Sequence, residues 1–241
     1  MQEPLEHEHT SEAIAHRIAS SNHNYIRDFI YGGIDGAVTT FAVVSGVAGA
    51  ELSVTVVLIL GFANLVADGF SMAASNYLGT RAEQDDYQRL EEIEHRHIEI
   101  APEGEREEVR EIYRTKGFEG EELEKAVELI TADKDRWVKT MLTEEYGLPA
   151  EVRSPWTASV LTFAAFLICG LVPLVPYLLG SRSSFLTSCI MTGITFFLIG
   201  SFKSRWSTRS WLRSGSETFF VGSLAAGLAY GVGVMLKGIV G

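Results

Sequence analysis

Residues Asn64–Asn76 read NLVADGFSMAASN and lie inside the predominantly apolar run Leu52–Leu78. That run exceeds the roughly 20 residues a helix needs to cross a bilayer. Within it, Asn64, Asp68, Met72 and Asn76 recur every four residues. On a helix this spacing sets them on one slowly drifting stripe. An ionisable group deep in hydrocarbon costs from about 3 to more than 10 kcal/mol. A carboxylate and a thioether on one such stripe therefore need a reason, and the stripe is read as lining a path for a metal cation. The competing reading is that Asp68 snorkels to an interface, and that Met72 and Asn76 only pack.

Working outward, Phe29–Ala50 is a first span, carrying Asp35 near its start and Thr39 one turn on. Gly32, Gly33, Gly36, Gly46 and Gly49 suit it to close helix packing. A short link at Glu51 makes it an antiparallel hairpin with Leu52–Leu78. Trp156–Leu179 is a third span, with a kink expected at Pro173 and Pro176. Phe185–Phe202 is a fourth. Thr218–Leu236 is a fifth, with Ser223, Gly227 and Gly231 as a small-residue packing face. Lys203, Arg205, Arg209 and Arg213 crowd the link between spans four and five, whereas Arg182 stands alone between three and four. The positive-inside rule then puts the N-terminus and the central segment in the cytoplasm and the C-terminus outside. Arg17 and Arg27 agree.

The chain has 241 residues, a formal net charge of −11 and a mean hydropathy of +0.13. That mean hides two different parts. Residues 83–153 hold 22 acidic and 11 basic side chains, so all the excess negative charge falls there. An acidic segment of this kind attracts cations and repels nucleic acid and anionic lipid, so no nucleic-acid partner is expected. Cys169 and Cys189 lie in separate apolar runs and read as packing residues. The first 25 residues lack an apolar leader; they carry His7, His9, His16 and His23 and read as a solvated tail, with a short amphipathic helix starting at Ser11.

The fold class expected is therefore all-α: a polytopic membrane protein with five transmembrane helices and a three-helix acidic cytoplasmic domain. The divisions are a tail over 1–28, spans one and two over 29–80, the acidic domain over 81–153, and spans three to five over 154–241. In the acidic domain the second span continues helical over Arg81–Ile100, and Pro102 and Gly104 break it. Glu105–Lys116 and Glu119–Tyr146 read as two further helices, ended by Gly117 and by Gly147 with Pro149. Glu91, Glu94 and His97 are spaced by threes, Glu105 and Glu108 repeat that spacing, and Met141 and Glu145 are one turn apart. Each pair alone is an ordinary solvated face. Together, on three helices of one small domain, they could converge on a metal cluster, and Glu-x-x-His on a helix also suits iron.

Two stretches, DGAVTTFAVVSGVAGA from Asp35 and ADGFSMAASNYLGTRAE from Ala67, resemble the vacuolar iron transporter family. PEGEREEVREIYRTKGF from Pro102 and WVKTMLTEEYGL from Trp137 extend the resemblance over nearly the whole chain. That family includes yeast and plant vacuolar iron and manganese carriers, nodulin-21-like proteins and bacterial members. The resemblance implies five membrane helices per subunit and a homodimer with the pathway at its interface. It also implies proton-coupled export of Fe²⁺ from the cytoplasm, with the cytoplasmic helices gathering metal first. It carries the membrane ligands onto Asp35 and Met72, and the soluble cluster onto Glu94, Glu105, Glu108, Met141 and Glu145. The plant pattern has Glu where Asn64 stands, a second Glu at His97 and a second Met at Leu142. Asp68, one turn after Asn64, is the nearest acid, and neutral His97 can still ligate Fe²⁺ or Zn²⁺.

The expected function is a secondary transporter exporting Fe²⁺, or Mn²⁺ or another divalent metal such as Zn²⁺ or Co²⁺, in exchange for protons. No prosthetic group and no enzymatic activity are expected. Membrane lipid, protons, the metal ion and a second copy of the chain are the expected partners, and a bacterial inner membrane the expected location. The alternatives are a membrane-tethered di-iron ferroxidase and a metal-binding sensor, both using the acidic helices.

Overall fold

The computed structural model describes residues 10–19, 25–150, 152–181 and 183–240. His7, His9, His23 and Arg182 lie outside the described residues, as do the side chains of His16 and Arg17. Every described element is helical: α1 (Ser11–Ala19), α2 (Ile26–Gly49), α3 (Val54–Ile100), α4 (Pro102–Thr115), α5 (Gly120–Thr131) and α6 (Lys134–Glu144). There follow α7 (Pro155–Leu171), α8 (Val175–Leu178), α9 (Ser184–Lys203) and α10 (Trp211–Val240), with 3₁₀ turns at Val172–Leu174 and Ser204–Trp206. Five of these segments are long and apolar enough to cross a membrane: Ile26–Gly49, the first part of α3, Pro155–Leu178, Ser184–Trp206 and Trp211–Ile239. The all-α, five-span fold expected from the sequence is the fold observed, with α2 starting three residues early and α10 longer at both ends than predicted.

The chain forms two compact units. One is built from residues 24–79 and 155–241 and contains the spans. Its centre is α2, the most buried span. The glycines of α2 explain this position. A Cβ on Gly36 would overlap the Phe166 carbonyl oxygen on α7 and come 2.8 Å from its Cα. At the other end, a Cβ on Gly49 would overlap the Tyr230 carbonyl oxygen on α10. Backbones thus meet on two sides of α2, where dispersion contacts are densest and lipid is excluded. Ala37, Val44, Phe166, Leu174 and Phe196 fill the remaining core. The outward faces carry exposed Ile59, Val66, Phe70, Ile168 and Leu228, a pattern suited to a hydrocarbon solvent.

The proline kink falls where the sequence places it. Pro173 and Pro176 lack the N–H groups that an α-helix needs, so α7 passes through a 3₁₀ turn into α8. Carbonyls freed there are taken by α9: the Ser188 hydroxyl donates to the Pro173 oxygen at 2.7 Å. The small-residue face of α10 differs from expectation. A Cβ on Gly227 or Gly231 would meet nothing within 4 Å, whereas one on Gly222 would overlap the Phe196 ring. The face packed within the chain runs through Gly222, Ala226 and Gly233.

The second unit holds residues 80–154. Its core is Leu90 and Ile98 from α3, Val109 from α4, Leu123 and Val127 from α5, and Trp137, Val138, Met141 and Leu142 from α6. The stretch predicted as one helix over Glu119–Tyr146 is two. Asp133 adopts an extended backbone and its side chain accepts from the Arg136 amide at 2.8 Å, which caps α6 and ends α5. Pro102 opens α4 instead of only ending α3, since a proline at the first helical position leaves no donor wasted.

Close approach at Gly36 makes a sharp prediction. Gly36→Ala should destabilise the purified protein by at least about 1–3 kcal/mol through overpacking. Gly227→Ala should leave the melting temperature unchanged or slightly raised, since alanine is the better helix former. Thermal melts in detergent compare the two.

Candidate metal centre

Glu94 and His97 are one turn apart on α3, so they share a face. The chain reverses at Ala101, and α4 brings Glu105 back beside them. His97 Nδ1 lies 3.4 Å from Glu105 Oε1 and 3.9 Å from Glu94 Oε1. One ligand atom from each of the three residues falls within 4.8 Å of the others, the spacing of a shared cation. Glu94 is 1% exposed and Glu105 5% exposed, whereas His97 is open to solvent.

Two buried carboxylates side by side are unfavourable unless a proton or a cation joins them. Oε2 of Glu94 and Oε2 of Glu105 are both buried with no hydrogen-bond partner among the described residues. Burial first, then the charges of Glu108 and Glu94, a hydrogen bond with Glu94 and the charge of Glu145, push Glu105 up to about 7. Glu145 is also raised, by burial and by Glu108 and Glu94, with His97 acting the other way. The site is thus short of positive charge and rich in oxygen donors, with one imidazole. That donor set suits a divalent first-row metal better than Mg²⁺ or Ca²⁺.

The other predicted ligands divide. Glu108 and Glu145 are exposed but close enough to act electrostatically on Glu105. Met141 is fully buried in the apolar core with Trp137, Val138 and Leu142. A residue not singled out from the sequence also belongs here: the Tyr146 hydroxyl donates to Glu94 Oε1 at 2.9 Å. Its only sequence signal was its position next to Glu145 at the end of an acidic helix.

In the spans, Asp35 on α2 and Asp68 on α3 are half-buried. Met72 packs against the core, half-buried. The Asn64 amide nitrogen is buried with no partner. The Thr39 hydroxyl donates to the Asp35 carbonyl at 2.8 Å, so it is spent on backbone. Asn76 has a different role from its neighbours on the stripe. Its amide donates to Asp28 Oδ1 at 2.9 Å and to Thr162 Oγ1 at 2.7 Å, tying α3 to α2 and α7. Asp28 is 4% exposed, a buried acid that the sequence reading had assigned to the polar tail.

The raised Glu105 sets a pH dependence. Its folded pKa of about 7 lies above the ordinary 4.5. The folded state therefore binds this proton more tightly, and the stabilisation it gives is present below 4.5 and lost as pH rises through 7. Metal-free protein should melt lower at pH 8 than at pH 5 by this contribution, and Glu105→Gln should reduce that difference. A metal held at Glu105 would displace the same proton, so its affinity should rise about tenfold from pH 6 to pH 8 and then level. Titrations at fixed ionic strength check both.

Comparison with known proteins adds an independent line. The family model described as the VIT family matches residues 26–234. A protein named vacuolar iron transporter from Toxoplasma gondii (strain ATCC 50861 / VEG) is 32% identical over 234 residues, covering 92% of this chain and 78% of the relative. Vacuolar iron transporter 1 of Arabidopsis thaliana is 32% identical over 208 residues, covering 85% and 83%. The vacuolar iron transporter of Plasmodium berghei (strain Anka) is 31% identical over 230 residues, covering 90% and 84%. These relatives are named as transporters, not as enzymes. With a family match across all five spans and the acidic unit between them, this chain belongs to the VIT family.

Proposed function

We propose that the protein exports Fe²⁺ across a membrane in exchange for protons, with Mn²⁺, Co²⁺ and Zn²⁺ as further ions of suitable chemistry. The observation that carries this reading is the pair Asp35 and Asp68, two half-buried carboxylates on neighbouring helices long and apolar enough to cross a membrane. Structural helices do not need such a pair, and a ferroxidase on the acidic unit would not need it either. The iron transporter names of the relatives favour iron as cargo. Asp35, Asp68 and Met72 are read as the membrane ligands, with Asn64 beside the pathway. Glu94, His97 and Glu105, assisted by Glu108 and Glu145, are read as the collecting site; Met141 would have to leave the core to join it.

The direction follows from charge. The basic link Lys203–Arg213 marks the cytoplasmic side. The acidic unit then faces the cytoplasm, concentrates divalent cations there, and supplies the membrane acids. Protons entering from the far side compete for Asp35 and Asp68 and release the metal outward. A homodimer would let two copies of α2 and α3 wall the pathway, which five spans alone enclose poorly. A bacterial inner membrane is the proposed location.

Reconstituted vesicles with an imposed pH gradient should take up Fe²⁺, and Asp35→Ala should abolish uptake. Asp68→Asn should lower it at least tenfold, the scale of a lost charged ligand. Glu105→Gln should raise the metal concentration needed for half-maximal uptake and leave the saturated rate nearly unchanged. Uptake indifferent to the gradient would remove the exchange mechanism, and oxygen consumption without flux would favour a ferroxidase.

A further inference from the structure

We propose that the corner between α9 and α10 binds an anionic phospholipid, with the phosphate at the basic link and one acyl chain in the apolar groove that runs from Phe197 to Cys189. The site involves none of the acids read as metal ligands, so it does not depend on which ion the protein carries.

The link carries the cations Lys203, Arg205, Arg209 and Arg213, and the one acid in residues 154–241 is Glu217. Arg209 is held by Glu217 at 2.7 Å. Lys203, Arg205 and Arg213 are exposed and have no ion pair among the described residues. Trp206 and Trp211 are exposed beside them. Each indole packs edge-on against a phenylalanine of α9: Trp206 with Phe202 at 5.0 Å between ring centroids, and Trp211 with Phe197 at 6.0 Å. Indole rings at the ends of membrane helices mark the level of the lipid headgroups. Unpaired basic side chains at that level attract acidic headgroups in preference to zwitterionic ones.

The groove begins where the two helices part. A Cβ on Gly200 would overlap the Ser214 carbonyl oxygen, so the backbones of α9 and α10 touch near the link. Farther along, the Phe219 ring stands beside Gly193, where a Cβ would come 2.9 Å from it. Cys189, Ile190, Gly193, Ile194 and Phe197 of α9 and Phe219 of α10 line an apolar groove of about 560 Å³. Through Cys189, Gly193 and Phe219 it joins a second hollow of about 390 Å³. Ile190, Ile194 and Phe219 are exposed, so the groove opens sideways, toward hydrocarbon. Phe197 belongs to both features, since its ring packs on Trp211 and lines the groove. At the rise of an α-helix, Phe197 lies about 9 Å and Cys189 about 21 Å along α9 from Lys203. The hydrocarbon of one leaflet is about 15 Å deep, half of the bilayer core. A chain hanging from a headgroup at the link would therefore run along this groove. A phospholipid is one molecule that carries an anion and an apolar chain at that spacing.

Native mass spectrometry of the purified full-length chain in detergent tests the site, with phosphatidylglycerol and phosphatidylcholine of the same acyl chains as probes. The unmodified chain should retain phosphatidylglycerol at a concentration at which phosphatidylcholine is lost. A triple variant, Lys203→Gln with Arg205→Gln and Arg213→Gln, should need at least about fivefold more phosphatidylglycerol for the same retention, the scale of one basic residue near the headgroups. Ile194→Trp fills the groove from its exposed side without changing charge, and should weaken retention as well. Lys237→Gln removes a charge at the opposite end of α10, where Lys237 pairs with Glu51, and should change nothing. All these side chains are exposed, and a melting curve confirms that each variant folds. Equal retention of the two lipids, or retention unchanged in the triple variant, overturns the site. Retention that falls in the triple variant but ignores Ile194→Trp overturns the seating of a chain in the groove. A changed oligomeric state in Ile194→Trp, with lipid retention unaltered, assigns the groove to a second copy of the chain and overturns the lipid.

Discussion

Glu94 and Glu105 lie side by side almost out of water, each with one buried oxygen that has no hydrogen-bond partner among the described residues. Much of the acidic unit follows from that pairing. α3 must continue as a helix through Glu94 and His97, and the chain must turn sharply at Ala101 so that Pro102 can open α4 and return Glu105. Met141, Val138 and Trp137 belong to the apolar core of the same unit. Beyond the Tyr146 hydroxyl on Glu94, a proton or a cation would relieve the pair. A metal held there would compete with a proton, and burial beside Glu108 and Glu94 raises Glu105.

The same logic recurs in the spans with different hardware. Asp35 and Asp68 are again two acids, half-buried and now on helices surrounded by apolar side chains. Holding them requires rigid helices. α2 is fixed by backbone contact at its glycines, and α3 is pinned by the Asn76 amide between Asp28 and Thr162. A buried polar node of this kind sets the rotation of α3, hence the direction in which Asp68 and Met72 point. One helix therefore carries residues of both acid pairs, Asp68 and Glu94, and its sequence records both.

Much of this was legible in the sequence. The five spans were, because apolar runs of the required length are a strong signal and the charges are confined to one segment. The continuation of the second span to Ile100 was, because nothing between Arg81 and Ile100 breaks a helix. Other features were hidden for physical reasons. The break at Asp133 was missed because a single cap residue decides it, and the apolar spacing on either side reads as one stripe. Asp28 was missed because an acid beside Arg27 at the edge of an apolar run looks solvated; only tertiary packing buries it. Met141 and Glu145 share a turn by spacing, yet the first is core and the second is exposed, a distinction that depends on which face the other helices cover. Tyr146 was invisible because its partner is fifty-two residues away.

The most direct measurement is X-ray absorption at the iron edge on the full-length chain loaded with Fe²⁺ without oxygen. The account predicts a first shell of oxygens with one imidazole nitrogen, the imidazole scattering lost in His97→Ala and the shell disrupted in Glu94→Gln. An all-oxygen shell that is the same in the unmodified chain and in both variants would contradict it.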